Sequence, residues 1–600
     1  GLAIRKREYP DAIKFYRLAL DNMPTEKATL QPEIEALTKK TNFLTEMDLN
    51  YKAGNYKESV KQYSAAIKRM KDSDYFLGRA KSYFKMGEYK DALNDYTQAY
   101  ELDNENLAAI EGRADLYKFL GDQITKSRDG ADKKNYYIKA LTDYTAYLTI
   151  NKKNIAIYEI TSELQLLLYN NTDDAIKALD AGIEADSKAA KLYLKKGLLL
   201  MKKNDFPKAD INYSTVLKID SNDAFAYYNR AICQMELANF EKAASDFSSA
   251  RSKGLDPASI INIATYAERL SGRASEDFNL KNPEAAIVHI DYAIAIDTAN
   301  STFWFKRGEY YFFLSNFKQA ISSYDQAIYL NSNYPEAYYK RGLSYYNTGN
   351  FKAAFENFSN AAKPSNPQLY LAQKGIGDAY FAMQNFGNAS TNFEAAIKTI
   401  NDLKTAPDPN VTAEIYNSIS KAYFNQHSNN AYDKAIDAAK NAIKQNSNYA
   451  EAYYSRGMAY YKAGKLPDAI NDMNKAVSLN NNNGQWYYNL AKCLDDKMDY
   501  TNAYNAYSSV LKTDTLHTLP DALYYRGRSG YAAQNYTDAL SDYLQCTSSG
   551  LDSVSVSFNN EMGNIYLNLG KYDSAIVWYQ KQLSKDAGNG YAMYGIASSS

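Results

Sequence analysis

The sequence predicts an all-α solenoid, in which about sixteen helix-turn-helix units follow one another in one continuous array. Two observations lead to this fold class. The 600-residue chain resembles itself at a spacing of about 34 residues, and no long segment rich in proline, glycine or serine interrupts the pattern. A unit of this length holds two helices, which bury their apolar sides only by stacking on neighbouring units.

Each unit is defined by a small residue, here called the anchor, with larger residues at fixed distances from it. In the clearest unit the anchor is Gly342. Tyr338 lies four residues before it, Tyr345 three after, Ala354 twelve after and Phe358 sixteen after. A large anchor side chain would separate the two helices, and the aromatic residues fill the space around their crossing at helical spacing. The same frame fits units anchored at Ala80, Gly308 and Gly457.

The turn between the two helices of a unit is predicted to be short. In the Gly342 unit it has the sequence NTGN (347–350), where Gly349 suits a positive φ at the end of a helix. Proline opens several helices, as at Pro335, because a proline in the first turn removes an N–H group that has no helical partner.

An arginine directly before the anchor is predicted to form an ion pair with an aspartate on the second helix of the same unit. Units that lack this arginine also lack the aspartate. A lone buried charge is costly, so the two residues should occur together. Ser323 and Asn357 take the aspartate's place opposite Arg307 and Arg341. The predicted pairs are Arg79 with Asp95, Arg230 with Asp246, Arg456 with Asp472, Arg526 with Asp542 and, allowing for an insertion, Arg113 with Asp143.

These features resemble the tetratricopeptide repeat, whose pattern is an aromatic residue, then Leu-Gly, Tyr, Ala and Phe in a helix-turn-helix unit. The resemblance covers nearly the whole chain. It implies a right-handed superhelix with the first helices of successive repeats lining its concave surface. It also implies a role in binding other proteins.

The resemblance places the residues three before and four after each anchor on that concave surface, here called the first-helix face. Aromatic side chains there offer apolar area, and tyrosine adds a hydroxyl group, which suits an extended polypeptide. The alternative is a groove narrowed by packing of these side chains on one another. The predicted partner-binding residues are Tyr228, Phe305, Phe312, Tyr339, Tyr346, Tyr454, Tyr461, Tyr488 and Tyr524.

Departures from the period divide the array into three parts, residues 1–257, 258–410 and 411–600. We expect a polar insertion loop at 121–136 and further insertions at 252–283 and 399–412. The chain opens within a repeat and closes in what resembles the first helix of another. We therefore expect it to be part of a longer protein.

Composition excludes several classes of function. The 69 basic and 69 acidic residues cancel, which argues against a nucleic-acid partner. No apolar run approaches the roughly 18 residues needed to span a bilayer. The three cysteines, Cys233, Cys493 and Cys546, are too far apart for a zinc motif. The three histidines, His289, His427 and His517, form no catalytic motif. We expect no enzyme activity, cofactor, metal or small-molecule substrate.

The predicted function is a non-catalytic scaffold for protein partners in a larger complex. Phrases such as KYDSAIVWYQKQL (571–583) resemble envelope tetratricopeptide proteins of the Bacteroidota, some of which are lipoproteins of the type IX secretion and gliding machinery. That resemblance implies a periplasmic, outer-membrane-associated location, with any membrane anchor outside this sequence. The alternative is an adaptor that recruits substrates or clients, either cytoplasmic or attached to an enzyme outside this sequence.

Overall fold

The structure is a computed structural model that describes residues 2–6, 8–124, 130–255, 263–363, 366, 368–514 and 518–600. Within these ranges all regular secondary structure is helical. The chain forms two compact units, residues 1–273 with 291–298, and residues 274–290 with 299–600. The division into three arrays predicted from the sequence stays a prediction.

The first unit contains fourteen α-helices among its described residues, and α15 (Ile263–Asn279) and α16 (Pro283–Ile296) contribute residues to both units. The fourteen are α1 (Leu2–Arg5), α2 (Tyr9–Asn22), α3 (Lys27–Lys52), α4 (Tyr56–Arg69), α5 (Ser73–Met86), α6 (Tyr89–Leu102), α7 (Leu107–Gln123), α8 (Gly130–Ile150), α9 (Ile155–Tyr169), α10 (Thr172–Ala185), α11 (Ala190–Lys202), α12 (Phe206–Ile219), α13 (Ala224–Glu236) and α14 (Phe240–Ser252).

The second unit continues the same alternation of first and second helices. Its helices are α17 (Ser301–Phe313), α18 (Phe317–Leu330), α19 (Pro335–Asn347), α20 (Phe351–Ala361), α21 (Leu369–Ala382), α22 (Phe386–Asn401), α23 (Pro409–Phe424), α24 (Asn429–Gln445), α25 (Ala450–Lys462), α26 (Leu466–Leu479), α27 (Gly484–Asp496), α28 (Tyr500–Thr513), α29 (Ala522–Ala532), α30 (Tyr536–Ser548), α31 (Phe558–Asn568), α32 (Tyr572–Lys585) and α33 (Gly590–Ser599).

From α1 to α14 and from α17 to α33 each helix packs on the next one in the chain, and several first helices contact the first helix of the next repeat. Such contacts join α17 with α19, α19 with α21, α23 with α25, and α31 with α33. The predicted fold class, an all-α solenoid of helix-turn-helix repeats, is confirmed. The first helices that contact one another form a surface on which side chains from successive repeats lie side by side.

The anchors are small because a buried aromatic ring of the second helix lies directly against them. A Cβ atom added to Gly563 would lie 2.4 Å from the ring of Tyr579, which is itself only 1% exposed. At Gly342 the nearest atoms belong to Phe358, at 2.8 Å. The two helices of a repeat therefore cross at the anchor, as predicted, with the anchor of the first helix against the aromatic ring of the second.

The turn between the two helices has the same backbone conformation in many repeats, even where glycine is absent. Gly349 has the predicted positive φ, +78°. Ala238, Ser315 and Met498, which occupy the same place seven residues after the anchor, have φ values of 58°, 57° and 63°. The tertiary packing therefore imposes the left-handed conformation on residues that do not favour it.

The predicted insertions contain fewer loop residues than expected, because helices extend into them. Residues 125–129 and 256–262 lie outside the described ranges, but α7 continues to Gln123, and α8 and α15 begin at Gly130 and Ile263. Much of 121–136 and 252–283 is therefore helical rather than loop. Between α22 and α23, residues 402–408 form the connection. Among the described residues, no helix is long and apolar enough to cross a bilayer.

Candidate protein-binding surface

The structure brings together the five predicted arginine–aspartate pairs. In each pair the guanidinium donates two hydrogen bonds to one carboxylate, the bidentate geometry that favours arginine over lysine. The distances from Nε to Oδ2 are 2.7 Å for Arg79–Asp95, 2.8 Å for Arg113–Asp143, 2.7 Å for Arg230–Asp246, 2.6 Å for Arg456–Asp472 and 2.9 Å for Arg526–Asp542.

The carboxylates of these pairs are buried, whereas the arginines are partly exposed. Asp95 is 1% exposed and Asp542 is 2% exposed. Burial raises the pKa of both carboxyl groups, and the bound guanidinium opposes that shift. Each arginine thus supplies the hydrogen bonds and the positive charge that a buried carboxylate needs.

Aromatic side chains on the first helix flank the arginine. The guanidinium of Arg456 lies 5.6 Å from the ring centroid of Tyr453 and 5.9 Å from that of Tyr460. These tyrosines lie three residues before and four after Arg456, so all three side chains share one face of the helix. Arg79 has the same relation to Phe76 and Tyr83. The repeat pattern predicts a packing role for these aromatic residues; their cation–π contacts were not predicted, although the spacing is visible in the sequence.

The arginine also reaches the second helix of the preceding repeat. Arg79 Nη1 donates to Ser64 Oγ at 3.0 Å, and Arg341 Nη1 donates to Asp325 at 2.5 Å. The side chain therefore fills a slot between two second helices, with the first helix as its floor. We call this the arginine slot. Arg341 completes it with Asn357 at 2.7 Å, and Arg307 lies 3.4 Å from Ser323.

Three of the nine residues predicted to bind partners on the first-helix face are buried. Tyr228, Tyr488 and Tyr524 are only 9%, 8% and 3% exposed. Tyr228 packs on Phe247 with ring centroids 5.8 Å apart. Neighbouring helices cover these three rings, and partner binding by the nine residues stays a prediction. Phe305, Phe312, Tyr339, Tyr346, Tyr454 and Tyr461 are half-buried.

Four of the tyrosines use their hydroxyl groups to bind the next repeat. Those of Tyr461, Tyr488 and Tyr524 donate to acidic side chains, and that of Tyr454 accepts from an amide. This is the self-packing that the sequence analysis left as the alternative. The contacts are Tyr454 with Asn489 at 2.6 Å, Tyr461 with Asp496 at 2.5 Å, Tyr488 with Asp521 at 2.7 Å and Tyr524 with Glu561 at 2.9 Å.

Tyr339 and Tyr346 differ from these four tyrosines. Their rings pack on Phe358 and Phe351, at 5.6 Å and 5.3 Å. Neither hydroxyl group makes a hydrogen bond to another of the described residues. Burial raises the pKa of Tyr339 to about 12. Both side chains therefore keep an unused donor and acceptor at the surface of α19.

A charged cluster that the sequence analysis did not identify lies next to these tyrosines. Lys374 Nζ on α21 lies 3.0 Å from Asp378 and 2.9 Å from Glu414 on α23. Burial would lower the pKa of Lys374, but the two carboxylates raise it above its ordinary value. Burial raises the pKa of Asp378, against the effect of Lys374. Lys374 lies three residues before its anchor, the place that Tyr339 holds in its own repeat, so the frame could have indicated it.

The cysteines are buried, and His289 contacts an acidic side chain. Cys233, Cys493 and Cys546 are buried, which raises the pKa of each thiol to about 12. His289 Nδ1 lies 2.6 Å from Asp277, whereas His517 is outside the described ranges. The described part of the chain holds no cluster of three or more His, Cys, Asp or Glu side chains suited to a metal ion.

Family models of the tetratricopeptide repeat match four segments of the chain. A model described as "TPR repeat" matches residues 308–349. Two models described as "Tetratricopeptide repeat" match residues 73–106 and 450–483, and residues 556–587. The chain thus contains tetratricopeptide repeats in both compact units. Proteins with such repeats generally mediate protein–protein interactions, and the matching models describe repeats rather than a catalytic domain.

Curated relatives show weaker, partial similarity. A TPR repeat-containing protein of Methanocaldococcus jannaschii is 24% identical over 44% of this chain and 47% of its own length. The Hsp70-Hsp90 organizing protein of Triticum aestivum is 25% identical over 34% of this chain and 38% of its own length. The chain spans less than half the length of these relatives.

Solved structures of repeat proteins align with the chain at low similarity. Yeast Tom70 is 15% identical with a TM-score of 0.28, covering 79% of this chain and 96% of Tom70. The C-terminal part of a TPR repeat-containing protein from Cytophaga hutchinsonii is 15% identical with a TM-score of 0.32, covering 49% of this chain and 99% of that one.

Proposed function

We propose that the chain is a non-catalytic scaffold that holds protein partners on its first-helix face, between α19 and α23. One observation carries this proposal. Tyr339 and Tyr346 have unused hydroxyl groups and lie beside the Lys374–Asp378–Glu414 cluster, whereas tyrosines further along the same face are bonded to the next repeat.

This stretch offers the contacts that an extended polypeptide needs. The two tyrosine rings supply apolar area with little side-chain entropy to lose, and their hydroxyl groups can bond to a peptide backbone. Glu414 is 53% exposed, so its carboxylate remains within reach of a donor on the partner. Lys374 is 17% exposed and holds the two carboxylates in place.

The test is an affinity capture with the purified chain as bait, from membrane and soluble extracts, read by mass spectrometry. We expect the change of both Tyr339 and Tyr346 to alanine to abolish capture of specific proteins. Tyr329→Ala is the matched control, because Tyr329 is 83% exposed and belongs to the second helix α18. Equal capture by both variants would show that this stretch is not the binding surface.

The same experiment separates two finer proposals. We propose a structural role in a periplasmic, outer-membrane-associated envelope assembly of the type IX secretion kind. Its support is the resemblance of segments such as residues 571–583 to envelope tetratricopeptide proteins. Capture of large envelope proteins in fixed ratio would favour it. The alternative is a cytoplasmic or enzyme-linked adaptor, and many weakly bound soluble polypeptides would favour that.

A further inference from the structure

Several repeats of the second unit have no arginine directly before the anchor, and two of them have a cleft in its place. Ile419 on α23 and Leu490 on α27 occupy the place directly before the anchor, and both are buried. Their side chains are too short to reach across the slot to the second helices. A cleft of about 420 Å³ lies over Ile419, and one of about 370 Å³ lies over Leu490.

The cleft over Ile419 retains the aromatic walls of an occupied slot. Tyr416 and Tyr423 line it, three residues before and four after Ile419, as Tyr453 and Tyr460 lie around Arg456. Its far wall is Ala438 of α24, which precedes the buried Ala439 as Asp472 precedes the buried Met473. The slot has therefore lost the arginine and its aspartate together.

The cleft also retains an acidic group on the preceding second helix. Glu394 of α22 lies seventeen residues after its anchor, as Asp325, the partner of Arg341, does in its repeat. Glu394 accepts a hydrogen bond from Tyr423 at 2.6 Å, and it has no cationic partner among the described residues. Asp437, at the rim, pairs with Lys440 at 3.0 Å.

We propose that this cleft binds the guanidinium group of an arginine from a partner polypeptide. The incoming group would lie between the rings of Tyr416 and Tyr423 and donate to Glu394, as arginines of the chain itself do in occupied slots. Lys434 Nζ lies 5.0 Å from the ring of Tyr423 at the mouth of the cleft, so it competes with the arginine. That the arginine comes from a partner polypeptide rests on the proposed scaffold function.

The cleft over Leu490 is a natural control. It has the same place in its repeat, but Asn474 stands where Glu394 stands, and Leu494 stands where Tyr423 stands. It therefore lacks the acid of the preceding second helix and one of the two rings. Its one carboxylate, Asp499, already accepts hydrogen bonds from Asn502 at the start of α28, at 2.9 Å and 3.0 Å from the amide nitrogen. A guanidinium group would lose its hydration there without the acceptor that Glu394 offers, so this cleft should bind it much more weakly.

The experiment is a methyl NMR titration of the whole chain labelled at its isoleucines. The probe is N-acetyl-arginine N-methylamide, a single side chain expected to bind only at tens of millimolar. Ile397 lines the first cleft and Ile470 the control cleft, so each reports on one of them. We expect a saturable shift of Ile397 alone. Citrulline and lysine analogues should bind about tenfold more weakly, because they lack the charge or the planar fork.

Three variants complete the test. Glu394→Gln should weaken binding about tenfold, and Lys434→Ala should strengthen it. Ile419→Arg should fill the cleft and abolish binding; if that variant does not fold, Glu394→Gln still decides. An equal shift of Ile470, equal binding of citrulline or lysine, or no effect of Glu394→Gln would overturn the proposal. Because the probe is a small molecule, these results are independent of whether the first-helix face captures proteins.

Discussion

Arg456 and Asp472 are joined by two hydrogen bonds, of 2.6 Å and 2.8 Å, that connect α25 with α26 beside the anchor Gly457. Asp472 is only 3% exposed, whereas a fifth of the arginine side chain remains exposed, 19%. The pair therefore satisfies a carboxylate that the fold has already buried. Replacing only the arginine should therefore cost more stability than replacing both residues of the pair.

We expect Arg456→Met to destabilise its repeat by about 3 kcal/mol, because Asp472 would remain buried without a partner. The double variant with Asp472→Leu should be less affected than the single variant. Hydrogen exchange of α25 and α26, read by mass spectrometry, measures the local free energy of opening. Equal effects in both variants would mean that the charge of Asp472 is solvated in some other way.

The anchors provide a second test. Gly563→Ala should lower stability by about 1–3 kcal/mol, because its Cβ would lie 2.4 Å from Tyr579, in the core. Gly272, within α15, has nothing within 4 Å of an added Cβ. Gly272→Ala should therefore raise stability by about 0.5–1 kcal/mol through helix propensity alone. Thermal unfolding of the two variants measures both effects, and we expect them to have opposite signs. A loss of stability in both variants would contradict this prediction.

The repeat frame, the anchor contacts and the arginine–aspartate contacts could be anticipated because each depends on residues within one repeat. Their spacing is fixed by the helix and by a short turn. The bond between Tyr488 and Asp521 could not be anticipated, since it joins residues 33 apart and depends on how closely first helices stack. The burial of Tyr524 also depends on the next repeat, since its ring lies 6.3 Å from that of Phe558. Composition of a single repeat carries no information on that distance.

The left-handed turns offer a way to stabilise the array. Met498 has a φ of 63° and is 74% exposed, so its side chain contributes little packing. Met498→Gly should raise stability by about 1 kcal/mol by removing the conformational strain. Gly464→Ala, at the corresponding turn with a φ of 73°, should lower stability by a similar amount. Chemical denaturation measures the free energy of unfolding of both variants. A less stable Met498→Gly variant would show that the methionine side chain contributes more through packing than the strain costs.

Alkaline pH should unfold the chain. Burial raises the pKa of Tyr524 and Tyr579 to about 12, from an ordinary value near 10. A raised pKa of the folded state favours folding fully below pH 10, and this contribution is lost as the pH rises through 12. Helical circular dichroism should therefore fall together with the last part of the rise in tyrosinate absorbance, which reports the buried tyrosines. Complete tyrosinate formation before any helix loss would show that the buried hydroxyl groups are open to solvent.

Among the described residues of each unit, helices contact their neighbours in the chain, and several first helices also contact the first helix of the next repeat. A pulling force on the ends of such a unit would be carried by these joints in series rather than by one core. The weakest joint would open first and leave the others intact. Each opened repeat would lengthen the chain by on the order of 100 Å, since about 34 residues extend at roughly 3.5 Å each. The repeat architecture thus gives the chain the properties of an extensible tether.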